Sequence, residues 1–300
     1  NIDAGGISDL RTIPQAVALD AAIRARSPRR AVVVGGGYIG LEMAENLHRR
    51  GVRVDVVERA DQILPPVDRE VSIPVEQHLR GRGIAVQLST SAAAFTTLPD
   101  DKVGVELTNG TTIPADLVVL AAGVRPDTAL ATAAGLELGE HGGIAVDTHM
   151  RTSDPHIWAA GDAVETPNPV LPGSYPNPLA GPANRQARVA AENICGRTTE
   201  YLSTQGTSIV KVFDMVAGGT GPTERQLKAA GIAYTAVHVH PSGHAGYYPG
   251  TAMMHLKVLF DPADGRILGA QACGFDGIDK RLDLLAMAVR QGMTVYDLEH

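Results

Sequence analysis

Cysteine is scarce: Cys195 and Cys273 are the only two in 300 residues, and no C-x-x-C pair occurs. Two thiols cannot build a disulfide framework, which points to a reducing, cytoplasmic setting. No apolar run reaches the ~18 to 20 residues of a membrane-spanning helix and no signal peptide is visible, so no membrane partner is expected. Positive charge is not in excess either, because the formal net charge is −7. General attraction to nucleic acid or to an anionic bilayer is thereby excluded. Internal repeats and low-complexity tracts are missing too. What remains, 44% hydrophobic and 20% charged, is the composition of a globular chain of two or more domains with ample material for a core.

The strongest positive signal lies at 31–45. Ala31 and three valines read as a buried parallel strand, three glycines turn the chain, and a helix is expected from about Tyr38. Within this stretch Gly35-x-Gly37-x-x-Gly40 has the spacing that a dinucleotide pyrophosphate demands. Gly35 permits the tight turn, Gly37 lets backbone approach the phosphates, and Gly40 lets helix and strand pack closely. Free N–H groups at the helix start then face the anion. Glycine-rich turns also arise for steric reasons alone, so the flanking pattern matters. A second strand over 52–57 ends at Glu58, about where an acidic residue binds a ribose 2′-OH. Glu58 favours NADH because its carboxylate repels a 2′-phosphate, while the adjacent Arg59 softens that preference and leaves NADPH open. The alternative for Glu58 is a solvated strand end.

In chain order, residues 1–12 read as a polar linker and 13–26 as a helix, ended by Ser27-Pro28 because the residue before proline is pushed out of the helical region. A helix over 68–83, short strands at 84–88 and 103–107 and a turn at Asn109-Gly110 complete a Rossmann-type unit with an antiparallel insertion. A buried strand over 115–122 ends at Gly123, ahead of Pro126, where a hinge is expected. Farther on, a short strand at 157–160 is expected to deliver Gly161-Asp162 at its C-terminal end, where open α/β sheets bind ligands. The plain alternative for Gly161-Asp162 is a turn followed by a helix N-cap. Residues 178–188 open a helix running to about 194. Strands near 208–213, 233–239, 252–260 and 266–273, with helices at 224–230 and 278–291, read as a separate α+β domain.

The motif at 35–45, the pattern Thr152-x6-Ala159-x-Gly161-Asp162 and Gly123 between them together resemble the pyridine nucleotide-disulfide oxidoreductase family. Residues 178–188, 244–250 and 277–281 are similar to its coenzyme A-disulfide reductase branch, so the resemblance covers essentially the whole chain. It implies an α/β fold with a Rossmann-type NAD(P)H-binding domain over 1–115, the C-terminal part of an FAD-binding domain over 116–202, and an α+β dimerisation domain over 203–300. Asp162, with Gly161, is then expected to touch the ribityl chain of FAD. The same resemblance assigns Tyr38, Ile39, Glu42, Gly123, Leu179 and Ala180 to cofactor binding, with Tyr38 as a gate over the flavin and Glu42 near the nicotinamide. Read without the family, Tyr38 is core and Glu42 is an early-helix acid favoured by the dipole. Tyr247, with Tyr248 second, matches tyrosines that reach the partner subunit's site and assist thiolate chemistry, which implies a homodimer joined through the C-terminal domain.

The implied activity is that of an FAD-dependent NAD(P)H oxidoreductase. A hydride passes from NADH to FAD, and an electron pair then reaches a cysteine that attacks a coenzyme A disulfide, persulfide or polysulfide, with coenzyme A as substrate or ligand. Family members begin with a βαβ unit whose own G-x-G-x-x-G binds FAD, followed by the redox cysteine. Neither is in this sequence, so a fragment truncated on its N-terminal side is expected, with an incomplete FAD site and no activity of its own. Members also continue past 297–300 into a segment with a second tyrosine; those four residues are either native or the start of a purification tag. Cys195 and Cys273 are expected to be buried small hydrophobes rather than nucleophiles. Two other readings stand beside this one. The first is an NADH oxidase or peroxidase of the same family, whose cysteine cycles through a sulfenic acid and which coenzyme A dependence would separate. The second is an inactive nucleotide-binding and dimerisation module. His238, His240 and His244 suggest metal ligands, the first two on one strand face. With no acidic or cysteine partner expected nearby, and with the family resemblance accounting for the segment, no metal is expected.

Overall fold

The computed structural model describes residues 5–299. Its first part runs β1 (Ile7–Asp9), α1 (Ile13–Arg26), β2 (Arg30–Val34), α2 (Tyr38–Arg49), β3 (Arg53–Val57), α3 (Arg69–Gly81), β4 (Ala85–Gln87), β5 (Ala92–Thr97), β6 (Val103–Leu107), β7 (Thr112–Ala115) and β8 (Leu117–Leu120). The apolar strands join in a parallel sheet of order β1-β8-β2-β3-β4, while β5, β6 and β7 make a separate antiparallel meander. Leu41, Ala44 and Leu47 of α2 and Val71, Val75 and Leu79 of α3 recur at helical spacing and are all buried in one cluster with Val33, Val54 and Val56 of the sheet. That burial fixes the strand ends on which a ligand would rest.

The helix over 13–26 forms as expected. Thr12 and Gln15 cap it reciprocally, and Ser27 takes a left-handed conformation (φ 45) ahead of Pro28. The linker reading of 1–12 is corrected, since β1 pairs in parallel with β8, Ile7 opposite Val118. Residues 1–4 of that linker, like His300 at the other end, lie outside the described residues. The sheet also runs past residue 115, where the sequence reading ends the nucleotide-binding domain, to Leu120 beside β2.

A middle part follows: α4 (Ala129–Ala133), β9 (Ile144–Ala145), β10 (Val164–Pro167), β11 (Ser174–Pro176) and α5 (Ala180–Ile194). The expected strand at 157–160 is absent, leaving only an isolated bridge between Arg151 and Trp158. The reason is local: Thr152 N–H donates to Ile157 O (2.9 Å) and Ala159 N–H to Met150 O (3.1 Å), so the segment satisfies its backbone by folding back on itself.

The last part contains β12 (Ser208–Val212), β13 (Met215–Thr220), α6 (Glu224–Ala229), β14 (Thr235–Val239), β15 (His255–Phe260), β16 (Ile267–Gly274), α7 (Ile278–Gln291) and a closing 3-10 turn over Tyr296–Leu298. The strands form an antiparallel sheet of order β12-β13-β16-β15-β14. β13 escapes the sequence reading because Gly218 and Gly219 break its apolar pattern. Contact explains Gly218, where a Cβ would stand 2.4 Å from Ser208 O on the neighbouring strand.

This sheet does not stand apart from the first part. Phe213, at the tip of the β12–β13 hairpin, is buried in the same cluster as α2 and α3, between His48 and Arg82, and its N–H donates to Glu45 Oε2 (2.7 Å). A second joint surrounds Lys257, whose side chain is 1% exposed and whose Nζ lies 2.9 Å from Asp68, 3.1 Å from Glu70 and 2.6 Å from Glu224. Asp68 and Glu70 come from the start of α3, so the joint links the two parts. Burial alone would raise Glu224, yet hydrogen bonds from Lys257, Tyr234 and Lys228 outweigh it and hold the carboxyl at about 2. Burial opposes the charge of Lys257 in turn, and its carboxylate partners more than offset that, raising its pKa.

Candidate functional site

The parallel strands β2, β3 and β8 end on one rim. Gly35 turns there with φ +116, its N–H donating to Val57 O (2.8 Å), and a Cβ on it would lie 2.2 Å from Ala121 O. A Cβ on Gly40 would lie 1.9 Å from Gly35 O, so these two glycines are required by the fold itself. Gly37 differs. It caps α2, and a Cβ placed on it would meet nothing within 4 Å. The space that Gly37 leaves open is outside the protein's own packing, where a ligand backbone contact would be made.

At this end of α2 the first helical bond runs from Leu41 N–H to Gly37 O, so the N–H groups of Tyr38, Ile39 and Gly40 have no intrahelical acceptor. No acidic residue occupies the first turn. Glu42 therefore belongs to the second turn, where it is exposed, and does not fill the dipole role weighed for it. An anion placed here would meet unpaired donors, with no carboxylate in the helix's own first turn.

Glu58 is not a freely solvated strand end. Its Oε2 accepts from Gly36 N–H (2.6 Å) and its Oε1 from Ala60 N–H (2.8 Å), which ties the glycine loop to the end of β3. A carboxylate has about four acceptor sites, so two remain for ligand hydroxyls. Arg59 beside it is exposed and has no ion-pair partner among the described residues.

Tyr38 is partly buried against the core cluster, and its hydroxyl lies 2.7 Å from Ser208 Oγ of β12. Burial raises its pKa, with the Ser208 bond acting the other way. Ile39 is 40% exposed on the same turn. Gly123 follows the end of β8 with φ +101 and open space at its Cβ position.

A second cluster forms around Gly161. It has φ +88, its N–H donates to Gln186 Oε1 (2.8 Å), and its Cβ position lies 3.8 Å from Ala183 Cβ, which sets the Gly161-Asp162 turn beside the first turns of α5. Leu179 is the N-cap of α5 and Ala180 its first residue, with no acid in the first turn. Asp162 is exposed and has no hydrogen bond or ion pair among the described residues. The buried Gln186 that positions this turn escaped the sequence reading, although it lies inside the 178–188 stretch; no spacing rule marks a buried glutamine.

Tyr247 and Tyr248, 90% and 63% exposed on the loop between β14 and β15, belong to neither cluster. The cysteine expectation divides. Cys273 is fully buried and its thiol is pushed up to about 12 by burial, whereas Cys195 is exposed at the C-cap of α5, because that helix ends one residue earlier. His238 does have acidic neighbours in space, since ligand atoms of Glu70, Glu224 and His238 lie within 4.8 Å of one another. Lys257 Nζ already sits against both carboxylates and supplies the positive charge a metal would bring.

Residues 3–192 match the family model described as pyridine nucleotide-disulphide oxidoreductase, and residues 207–300 match the dimerisation domain of the same description. A coenzyme A disulfide reductase from Staphylococcus aureus is 33% identical over 294 residues, which is 96% of this chain and 65% of the relative. The chain thus spans about two thirds of the length of the curated relatives it matches. Reduced Bacillus anthracis CoADR-RHD is similar with TM-score 0.94 and 42% identity, covering 98% of this chain and 53% of that one. An NAD-dependent persulfide reductase from A. fulgidus gives TM-score 0.95 and 39% identity, covering 99% and 55%.

Proposed function

The chain belongs to the pyridine nucleotide-disulphide oxidoreductase family, and from that premise we propose that it forms the NAD(P)H-binding and dimerisation portion of a flavoprotein reductase. NADH lies across the ends of β2 and β3, with its pyrophosphate on the N–H groups that open α2 and its ribose at Glu58. The observation that carries this reading is Glu58 itself, held by two backbone donors at the rim with acceptor sites to spare. Tyr38, Ile39 and Glu42 border the nicotinamide end, and the carboxylate of Glu58 favours NADH over NADPH.

The residues around α5 fit one edge of an FAD site. Asp162 offers a partnerless carboxylate to sugar-alcohol hydroxyls, Gly161 stands beside the first turns of the helix that Leu179 and Ala180 open, and Gly123 leaves open space after the end of β8. FAD, when bound, supplies an acceptor for the hydride of NADH and the electron pair that a cysteine outside these residues carries to a coenzyme A disulfide, persulfide or polysulfide. Cys273 cannot be that cysteine, because burial keeps it protonated, and Cys195 lies at the far end of α5 from Gly161. The antiparallel domain joins two subunits, and Tyr247 and Tyr248 extend from it toward the thiol chemistry of the partner.

Two experiments test this. Calorimetric titration of the chain with NADH should show one site per chain, and an absence of binding removes the nucleotide reading. In the protein that contains this chain, NADH oxidation should depend on coenzyme A disulfide or a coenzyme A persulfide. Turnover with oxygen or peroxide that ignores coenzyme A would instead select the NADH oxidase or peroxidase alternative.

A further inference from the structure

Strand alternation puts His238 and His240 on one face, yet the close imidazole pair is a different one. The β14–β15 register sets His238 opposite Lys257 and Val239 opposite Leu256, so His240 and His255 face each other one step further along. Their Nδ1 atoms are 3.0 Å apart, and the rings meet edge to face with centroids 4.9 Å apart. Neither ring has another hydrogen-bond partner among the described residues, and the site is open, with His240 exposed and His255 half-buried.

A 3.0 Å separation suits a shared proton, and it also suits a chelate. Zinc–imidazole bonds of about 2.0–2.1 Å, at angles between square and tetrahedral, separate two ligand nitrogens by roughly 2.9–3.4 Å. His255 opens β15 and His240 directly follows β14, two strands paired with each other up to Val239 and Leu256, so little rearrangement is needed to bring the two nitrogens to one ion. Imidazole nitrogen without thiolate or carboxylate selects zinc, nickel and copper rather than magnesium or calcium.

We propose that His240 and His255 form a two-histidine chelate for a divalent transition metal of this class, bound through both Nδ1 atoms with water completing the coordination. The site lies on a rung of the sheet at the base of the loop over 241–254, whose ends are His240 and His255 themselves. Backbone bonds from Gly243 N–H to Ala252 O and from Met254 N–H to Pro241 O, both 2.9 Å, already draw that base together. A metal there clips the loop at its ends and restricts the segment that carries Tyr247 and Tyr248. The inference stands on this geometry alone and does not rest on the proposed reductase activity.

The test uses Zn2+ as the probe, in metal-free buffer near pH 7.5. Calorimetry should show Zn2+ binding to the unaltered chain, with H240N and H255N each weakening it by about tenfold or more and H238N leaving it unchanged. Zn2+ should also slow amide exchange over 241–254 in the unaltered chain only. Independently of any variant, Zn2+ should shield His240 and His255 from diethyl pyrocarbonate, read by mass spectrometry. Absence of Zn2+ binding at millimolar concentration, wild-type affinity in H240N or H255N, or labelling of the pair that ignores Zn2+ overturns the proposal and leaves a shared-proton hydrogen bond.

Discussion

Gly37→Ala separates a glycine that the fold leaves open from the glycines that the fold itself requires. At Gly37 the backbone has φ −80, which alanine adopts freely, and the new methyl meets no atom within 4 Å. Replacing an N-cap glycine by alanine costs roughly 0.5–1 kcal/mol. Lower entropy of the unfolded chain returns about 0.4–1 kcal/mol, so stability should stay close to that of the parent. A pyrophosphate seated on the α2 N–H groups would instead be pushed outward by the methyl. Loss of one charge-assisted hydrogen bond is worth about 1.5–3 kcal/mol, or about ten- to hundredfold in affinity for NADH. Gly40→Ala should behave in the opposite way, because its Cβ would overlap Gly35 O at 1.9 Å, and such overpacking costs roughly 1–3 kcal/mol or more. Differential scanning calorimetry and titration with NADH on both variants measure the two quantities separately. If Gly37→Ala binds NADH as tightly as the parent while remaining folded, the pyrophosphate does not lie on this loop.

Glu58→Ala should weaken NADH more than NADPH in paired titrations; equal losses would remove the basis for the NADH preference. Lys257→Met strips the shared cation from Asp68, Glu70 and Glu224 and should cost about 3–5 kcal/mol in urea unfolding, whereas a variant as stable as the parent would show that the joint contributes nothing. The same joint sets an acid response. The carboxyl of Glu224 is depressed from 4.5 to about 2, so its contribution is present above about pH 4.5 and is lost as pH falls toward 2. Lys257 is raised above its ordinary 10.5, so its share persists below that pH and disappears only as pH climbs through the folded value. Urea midpoints between pH 5 and 2 should fall less steeply in Glu224→Gln than in the parent. Cys195 should react with a disulfide reagent in the native chain and Cys273 only after unfolding; rapid double labelling would contradict the burial of Cys273.

Legibility in the sequence followed the reach of each signal. Gly35, Gly37, Gly40 and Glu58 were readable because a strand, a turn, a helix and a second strand repeat one local pattern, and hydrophobic periodicity marks each part. The helices at 13–26 and 278–291 were equally plain. Strands that depend on distant partners were not: Ile7–Asp9 is three residues with one apolar side chain that become a strand only against Val118 and its neighbours, and Met215–Thr220 hides behind two glycines, of which closeness to Ser208 demands Gly218. Residues 157–160 failed in the other direction, looking like a strand while bonding to their own turn. Around the candidate sites, the tie between Glu58 and Gly36, the support of Gly161 by Gln186 and the pairing of His240 with His255 span 15 to 25 residues, and no periodicity encodes them.

Helix α2 is held at two points by the antiparallel domain, at Tyr38 through Ser208 and at Glu45 through the backbone of Phe213. The element that would receive a dinucleotide is therefore not a cassette. Exchanging residues 30–58 for the equivalent stretch of a related chain would sever both attachments unless the β12–β13 hairpin travelled with it. A change in α2 thus acts on a unit that includes two segments more than 150 residues apart, and a recombination point placed between them separates parts that depend on each other.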